Sequence, residues 1–298
     1  MDKIYIILLI LAALMLLGIV WCLTEPFILD HDSATLKRSS KGSSKDKKIT
    51  VKKLKDSMNA SSDGPADLRF FFFSDVHAEL CLISARRLCN AIRKSHDAGA
   101  LDAVIFGGDI TTTPRNSKKG FKYLSMVSSF CKELGIPFYG VSGNHDFYYD
   151  NAPEECGFIS LDGAELTLTS HVSGAKIILT GLSDSGKKNR VWHTETTVKE
   201  EDPVILVVHD PDAFIHLEPG YRPDFMLSGH LHGGQMKLPF RMEFLVLRKS
   251  DQLPRMGAVQ GVYDLSGTSV FISRGLGCGI LPFRFLSLPE ATVVEIKL

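Results

Sequence analysis

The 298-residue sequence lacks a net charge, closely spaced cysteine pairs and internal repeats. Basic and acidic residues balance at 34 each, so no overall attraction to nucleic acid is expected. The six cysteines stand at positions 22, 81, 89, 131, 156 and 278, without any C-x-x-C pair. This spacing favours free thiols in a reducing compartment over a disulfide framework or a zinc knuckle. The sequence therefore predicts that the main part of the chain lies in the cytoplasm.

Charge is also absent from residues 4–23, which are almost all apolar. As a helix rising about 1.5 Å per residue, this segment would cross the roughly 30 Å hydrocarbon core of a bilayer. Trp21 near one end suits an interfacial anchor. A buried core helix is disfavoured by the polar sequence downstream, and a cleavable signal peptide by the length of the run and the lack of an A-x-A-like site. We therefore predict an uncleaved single-pass membrane anchor over residues 4–23.

Residues 24–66 contain many Ser and Lys residues and few large apolar ones, which predicts a flexible basic linker. The basic residues are Lys37, Arg38, Lys41, Lys45, Lys47, Lys48, Lys52, Lys53 and Lys55. Near an anionic leaflet each would contribute about 1 kcal/mol of attraction, and basic flanks favour the cytoplasmic side. A solvated tether explains the same composition.

The remaining residues, 67–298, predict one α/β domain. Strand-like apolar runs cover residues 68–74, 102–107, 136–142, 176–183, 203–209, 224–228, 269–273 and 291–297. Helix-like spacing covers residues 78–98 and 118–134, and Gly99 and Gly135 follow as stop signals. The order β-α-β-α-β followed by mostly strands favours a layered sheet domain covered by helices.

Five short polar motifs follow these apolar runs. They are Asp75-Val76-His77, Gly108-Asp109, Gly143-Asn144-His145-Asp146, the single His209, and Gly229-His230-Leu231-His232. Open α/β sheets place their sites at the carboxyl ends of strands, so these side chains are expected to converge.

The mixture of Asp, Asn and His is typical of sites for manganese or a transition metal such as iron or zinc. Two divalent ions about 3.5–4 Å apart can share a carboxylate and activate water for attack on phosphorus. Asp109 is the best candidate for the shared carboxylate, because the preceding glycines allow close approach of the backbone.

The order D-x-H, G-D, G-N-H-D, H and G-H-x-H resembles the calcineurin-like metallophosphoesterase superfamily over about residues 68–298. The resemblance implies a layered α/β/β/α sandwich. It implies that Asp75, His77 and His232 hold one ion, that Asn144, His209 and His230 hold the other, and that Asp109 bridges them. It further implies that His145 protonates the leaving group or stabilises the transferring phosphoryl group, with Asp146 orienting its ring.

Three later segments are Gly229-His230-Leu231-His232-Gly233-Gly234-Gln235, Ser273-Arg274-Gly275-Leu276-Gly277 and Leu281-Pro282-Phe283-Arg284-Phe285. Together they resemble a membrane-anchored bacterial branch of phosphodiesterases, which a pyrophosphatase that cleaves UDP-2,3-diacylglucosamine also resembles. This resemblance implies hydrolysis of a lipid-linked nucleotide diphosphate to UMP and a lipid sugar phosphate, in lipid A biosynthesis. A phosphomonoesterase and a non-catalytic membrane scaffold are the alternatives.

Three further groups of residues have two interpretations each. Residues 238–247 are apolar enough to line a site for acyl chains, and a core hairpin explains them equally well. Gly275, Gly277 and Gly279 could offer backbone amides to phosphate or form a tight loop. Candidates for contact with a second phosphate are Arg274, Arg284 and Lys187.

Overall fold

The structure is a computed structural model that describes residues 3–39, 49–54, 64–149, 151–184, 202–217, 222–246, 248 and 250–298. The helices are α1 (Lys3–Thr24), α2 (Ala85–Ala98), α3 (Ser117–Leu134), α4 (Ala152–Cys156), α5 (Ala213–His216), α6 (Met242–Val246) and α7 (Gln252–Met256). The strands are β1 (Ser33–Lys37), β2 (Val51–Lys53), β3 (Leu68–Phe73), β4 (Ala103–Phe106), β5 (Phe138–Gly140), β6 (Ile159–Ser160), β7 (Glu165–Thr169), β8 (Lys176–Leu182), β9 (Val204–Val208), β10 (Phe225–Ser228), β11 (Gly261–Leu265), β12 (Thr268–Ile272) and β13 (Thr292–Lys297).

The strands form two sheets. The first has the order β1-β13-β3-β4-β5-β6, and the second has the order β2-β11-β12-β10-β9-β8-β7. In the first sheet β3, β4, β5 and β6 are parallel, and in the second β8, β9, β10 and β12 are parallel. Loops that leave these strands at their carboxyl ends therefore share one edge of each sheet.

Four consecutive phenylalanines in β3 show how the layers are arranged. Successive side chains of a strand point to opposite faces, so Phe71 and Phe73 pack under α2 and α3, while Phe70 and Phe72 pack between the sheets. The ring of Phe72 meets Phe271 of the second sheet edge-on at a centroid distance of 6.0 Å. The sandwich is therefore α/β/β/α, as predicted, with the described outer helices of the second sheet reduced to short pieces.

The two long helices over the first sheet follow the predicted stop signals. α2 begins at the N-cap Ser84, whose hydroxyl accepts a hydrogen bond from the backbone N–H of Arg87 at 3.3 Å. α3 ends at Gly135, which adopts the left-handed conformation with φ 69°. The predicted start of the first helix at residue 78 is wrong, because residues 78–84 form the loop between the first motif and α2.

The prediction that all of residues 24–66 form a flexible linker is also wrong for the part that the structure describes. β1 pairs in parallel with β13, and β2 pairs with β11. Leu36 is fully buried between the sheets. These strands are too short to give an apolar run, so the sequence pattern does not reveal them. Of the predicted basic tract, Lys41, Lys45, Lys47, Lys48 and Lys55 lie outside the described residues.

α1 contains the predicted anchor. None of its described side chains is buried against the rest of the protein. Its apolar composition and its 22 residues make it long and apolar enough to cross a membrane.

Candidate metal centre

The predicted motifs converge at the carboxyl ends of strands from both sheets. Asp75 follows β3, Asp109 follows β4 and the Asn144 motif follows β5. His209 follows β9, and His230 follows β10. The site therefore lies across the edge where the two sheets meet, as expected for open α/β sheets.

Three of these side chains form the first cluster, Asp75, His77 and His232. Their nearest ligand atoms all lie within 4.8 Å of one another, and all three residues are buried. His232 Nε2 is 3.4 Å from Asp75 Oδ1. The rings of His77 and His232 stack at a centroid distance of 5.0 Å.

The second cluster consists of Asp109, His209 and His230, whose ligand atoms also lie within 4.8 Å of one another. His209 Nε2 is 3.2 Å from Asp109 Oδ2 and 3.2 Å from His230 Nδ1. The same oxygen, Asp109 Oδ2, is 3.4 Å from His77 Nε2 of the first cluster. Asp109 thus faces both clusters with one oxygen, which is the arrangement a bridging carboxylate requires.

Residues 68–234 match the calcineurin-like phosphoesterase family. The chain belongs to this family. It is therefore a metallophosphoesterase, a hydrolase whose family uses a site for two metal ions.

Several curated relatives share much of the chain. It is 32% identical over 207 residues to the uncharacterized metallophosphoesterase YkuE of Bacillus subtilis (strain 168), covering 66% of this chain and 68% of the relative. Identity to YkoQ of the same organism is 26% over 238 residues, covering 77% and 83%. The UDP-2,3-diacylglucosamine pyrophosphatase LpxG of Chlamydia muridarum (strain MoPn / Nigg) is 27% identical over 228 residues, covering 72% and 66%.

Two buried atoms test whether this metallophosphoesterase site fits a pair of cations. His77 Nε2 and Asn144 Oδ1 are buried and have no hydrogen-bond partner among the described residues. An unpartnered buried polar atom is unfavourable unless something else satisfies it. Both are predicted ligand atoms, and imidazole nitrogen with carboxylate and amide oxygen suits manganese, iron or zinc. The residues present therefore fit the pair of metal ions that the family uses.

The electrostatics of the clusters favour metal binding. Burial lowers the pKa of His77, and it lowers the pKa values of His230 and His232 well below the ordinary value. Burial would raise the pKa of Asp109, but the charge and hydrogen bond of His209 hold it well below its usual range. These shifts favour neutral imidazoles and an ionised Asp109, which are the forms that bind metal.

The pKa of His209 is shifted in the opposite direction from the pKa values of the other three histidines of the clusters. Burial opposes protonation, yet the neighbouring Asp109 carboxylate raises the pKa of His209 well above its ordinary value. These opposite shifts favour a proton on His209, and a cation at this place would compete with that proton.

Hydrogen bonds to the second ring nitrogens orient the histidines. His209 Nδ1 donates to the carbonyl of Gly107 at 2.7 Å, and His232 Nδ1 donates to that of Gly277 at 3.3 Å. Thr112 Oγ1 donates to the carbonyl of Gly279 at 3.0 Å, so it accepts from His77 Nδ1, also at 3.0 Å. Each ring consequently presents Nε2 to its cluster, as is usual for histidine ligands.

Five of the predicted ligand residues adopt an unusual backbone conformation. Asp75, His77, Asp109, His230 and His232 all have positive φ values, between 39° and 68°. Such conformations are uncommon for residues other than glycine and cluster at functional sites. At Gly108, with φ 94°, an added Cβ would lie 2.7 Å from His209 Nδ1, so the close approach predicted for this glycine is present.

His145 lies beside the first cluster. Its ring meets that of His77 edge-on at a centroid distance of 5.3 Å. Its Nδ1 donates to the carbonyl of Thr112 at 3.0 Å, which leaves Nε2 for proton exchange. Its backbone N–H donates to Asp109 Oδ1 at 2.9 Å and so fixes the carboxylate that faces both clusters.

Asp146 occupies a different place from the one implied by the resemblance. Its buried carboxylate accepts backbone N–H bonds from Asp109, Ile110 and Gly143, each at 2.8 Å. The partner of the His145 ring is Thr112 instead. Asp146 therefore positions the two loops that carry Asp109 and Asn144. Burial, together with the charge of Asp109, raises the pKa of Asp146 to about 7.

The predicted phosphate contacts beyond the metal cluster are not supported. Arg284 is fully buried, and its guanidinium donates to the carbonyls of Ser287, Arg274, Gly275 and Gly277. Arg274 pairs with Asp30 and Glu290. Lys187 lies outside the described residues.

The backbone amides of the glycine-rich loop are also engaged. Gly275 donates to Ser273 Oγ, Gly277 donates to the carbonyl of Asp75, and Gly279 donates to Gln235 Oε1. The tight-loop interpretation of these glycines is therefore the better one.

Sequence reasoning missed Thr112 and Asp210. Thr112 supports the rings of both His77 and His145, and only its position three residues after Asp109 could have indicated this. Asp210 lies 3.9 Å from His230 Nε2, and burial beside Asp212 raises its pKa to about 7. Its place directly after His209 was the available signal.

Proposed function

We propose that this protein uses two divalent ions, with manganese as the first candidate, to cleave a phosphodiester or pyrophosphate bond of a lipid-linked substrate at the membrane. The observation that carries the proposal is the position of Asp109 Oδ2, 3.4 Å from His77 Nε2 and 3.2 Å from His209 Nε2. A carboxylate oxygen shared between two clusters supports a pair of ions rather than one.

The proposed ligand roles follow the two clusters. One ion would be held by Asp75, His77 and His232, and the other by His209 and His230 together with Asn144, while Asp109 would contact both. Bound there, the ions would supply Lewis acidity to the phosphoryl oxygens and acidify the attacking water. Burial keeps the ligand atoms apart from bulk solvent, which would strengthen the attraction between the ligand carboxylates and the cations.

His145 is the proposed proton donor to the leaving oxygen. Its hydrogen bond to Thr112 holds the ring with Nε2 as the exchangeable nitrogen. Its backbone bond to Asp109 couples its position to the bridging carboxylate. General acid catalysis by a positioned side chain typically contributes about 10²–10⁴-fold to the rate.

The membrane location and the lipid-linked substrate belong to the same proposal. α1 is apolar enough to anchor the domain, and the basic residues after it favour a cytoplasmic orientation. The similarity to a UDP-2,3-diacylglucosamine pyrophosphatase makes that lipid the first substrate to test, with UMP and the lipid sugar phosphate as products.

Product identification tests the proposal. Full-length protein in detergent with Mn²⁺ is incubated with UDP-2,3-diacylglucosamine, with an aryl phosphate diester and with an aryl phosphate monoester. We expect UMP and the lipid sugar phosphate, together with faster cleavage of the aryl diester than of the monoester. Asp109→Asn, which keeps the shape of the side chain but removes its charge, is the matched control and should be inactive.

The other outcomes separate the parts of the proposal. Cleavage of the aryl diester with unchanged lipid nucleotide would reject this substrate and keep the diesterase chemistry. Preference for the monoester would indicate a phosphomonoesterase. Metal-loaded protein that cleaves none of the three would reject the enzyme and favour a non-catalytic membrane scaffold.

A further inference from the structure

A group of large apolar side chains is exposed around the mouth of the metal centre. Phe240 is 92% exposed, Ile280 is 84% exposed, and Leu281 and Leu286 are more than half exposed. Leu238 belongs to the same group. We call these five residues the apolar rim. Exposed apolar groups that are contiguous mark interaction sites, whereas scattered ones need no explanation.

Hydrogen bonds join the two loops of the apolar rim into one surface. Gln235 Nε2 donates to the carbonyls of Leu281 and Phe283, at 3.0 and 3.1 Å. The backbone N–H of Phe285 donates to the carbonyl of Gln235 at 2.9 Å, and that of Lys237 donates to Phe285 at 3.0 Å. The loop that carries Phe240 and the loop that carries Ile280 are therefore held side by side.

The same surface is attached to the end of α1. The backbone N–H of Arg284 donates to the carbonyl of Cys22 at 3.2 Å. The fully buried Glu25, directly after α1, accepts backbone N–H bonds from Leu286 at 2.7 Å and from Ser287. The end of the proposed anchor is therefore fixed beside the apolar rim.

The apolar rim also adjoins the metal centre. A Cβ added at Gly279, the residue before Ile280, would lie 3.7 Å from His232 Nε2. Ser287 Oγ, next to Leu286, donates to the carbonyl of His232 at 2.8 Å. Any surface that covers the rim will therefore lie next to the first cluster.

The charges near the rim suit a lipid surface. Residues 235–242 and 279–288 contain no Asp or Glu, while Lys237 and Arg241 lie in the first of these stretches. The nearby Glu243 is buried and accepts the backbone N–H of Leu238 at 3.0 Å. Apolar side chains beside basic ones are typical of elements that enter the headgroup region of anionic membranes.

We propose that the apolar rim inserts into the headgroup region of the bilayer that holds α1, so that the metal centre opens at the membrane surface. The proposal rests on the anchoring role of α1 and goes beyond it, because a tether alone leaves the orientation of the domain free. A fixed orientation would let a lipid-borne phosphate reach the metal centre without leaving the bilayer.

Depth-dependent tryptophan quenching tests the insertion. The two native tryptophans are Trp21 and Trp192. Full-length protein is reconstituted in vesicles of phosphatidylcholine and phosphatidylglycerol, with and without brominated acyl chains. Phe240→Trp and Ile280→Trp are each made with both native tryptophans replaced by Phe. We expect a blue-shifted emission and a quenching slope several-fold larger than at a control position.

Val172→Trp in the same background is the matched control. Val172 is 52% exposed and lies in the turn between β7 and β8, where the backbone N–H of His171 bonds the carbonyl of Asp67 before β3. That turn lies at the opposite end of the sheet from the metal centre. Thermal melting of each variant checks that the fold is retained.

A fourth protein that keeps only Trp21 separates the two claims. Quenching of Trp21 without quenching at positions 240 and 280 would keep the anchor and overturn the insertion. Absence of quenching at all positions would overturn the anchor as well. Equal quenching at positions 172 and 240 would also overturn the insertion. A blue shift at position 240 without quenching would overturn it too, and would indicate a protein partner instead.

Discussion

Replacement of Asp146 by Asn distinguishes two roles for this residue, the positioning of the loops after β4 and β5 and the orientation of the His145 ring. The carboxylate accepts three buried backbone N–H bonds, two on Oδ2 from Asp109 and Gly143 and one on Oδ1 from Ile110, all at 2.8 Å. Asn has only one acceptor oxygen, so its amide group must face at least one of these N–H groups. The ring of His145 has no part in this network, because it bonds Thr112.

The expected loss of stability follows from these bonds. A hydrogen bond to a charged group contributes about 1.5–3 kcal/mol, and an unsatisfied buried donor carries a similar penalty. Asp146→Asn breaks at least one of these bonds and leaves a buried N–H group without an acceptor. Because burial raises the pKa of the Asp146 carboxyl to about 7, the loss of its charge adds little to this cost near neutral pH. We therefore expect the unfolding free energy of the metal-free protein to fall by about 1–3 kcal/mol.

Urea denaturation in a chelating buffer measures this change, and the pH dependence of the metal-loaded enzyme provides the second readout. Asp97→Asn, at an exposed carboxylate on α2, is the control and should change stability little. If Asp146 positions the loops, the pH at which activity is half-lost stays that of the wild type. A shifted pH profile with unchanged stability would refute the reasoning and restore the ring-orienting role.

Three further predictions concern single side chains. Asp109→Ala should lower the metal content measured by mass spectrometry and abolish turnover, whereas full activity would contradict its bridging position. His145→Ala should keep both metals but lose about 10²–10⁴ in rate, and an unchanged rate would exclude it from proton transfer. In the metal-free protein, the raised pKa of Asp210, about 7, means that the fold binds a proton more tightly than the unfolded chain does. The contribution of this group to stability should therefore fall as pH rises from about 4 to about 7. Asp210→Asn should remove that contribution, stabilising the protein near neutral pH relative to the wild type but not at pH 4, as urea titrations would show.

Much of the sandwich could be predicted because its central strands are buried on both faces. The runs around residues 104 and 206 are continuous and apolar, as expected for parallel strands covered on both sides. The motifs end these runs, so strand order alone predicts that their side chains meet. This inference does not require knowledge of contacts between residues that are far apart in the sequence.

The edge strands could not be predicted in the same way. β1 buries only its three central residues, among them Thr35, and β2 has no buried residue. Their positions depend on backbone pairing with β13 and β11 rather than on side-chain pattern. Composition therefore suggested a linker where the chain in fact completes both sheets.

The roles of Asp146 and Arg284 were misjudged for a related reason. A charged residue near a motif suggests contact with substrate or with a catalytic ring. The partners here are backbone groups of distant loops, and nothing in the sequence marks a carbonyl or an N–H as a partner. Only the tertiary structure shows that both side chains bind backbone groups of the surrounding loops.

These two buried charges also explain how the ligand backbone is held. Five predicted ligand residues have positive φ, a conformation that costs on the order of 1–3 kcal/mol per residue. Asp146 bonds three N–H groups of the loops after β4 and β5, while Arg284 bonds four carbonyls of the loop that adjoins Asp75. Because these bonds do not involve the ions, we expect the loops to keep their conformation before metal binding. Metal affinity should then reflect a preformed site, and substitutions of Asp146 should weaken metal binding although they remove no ligand side chain.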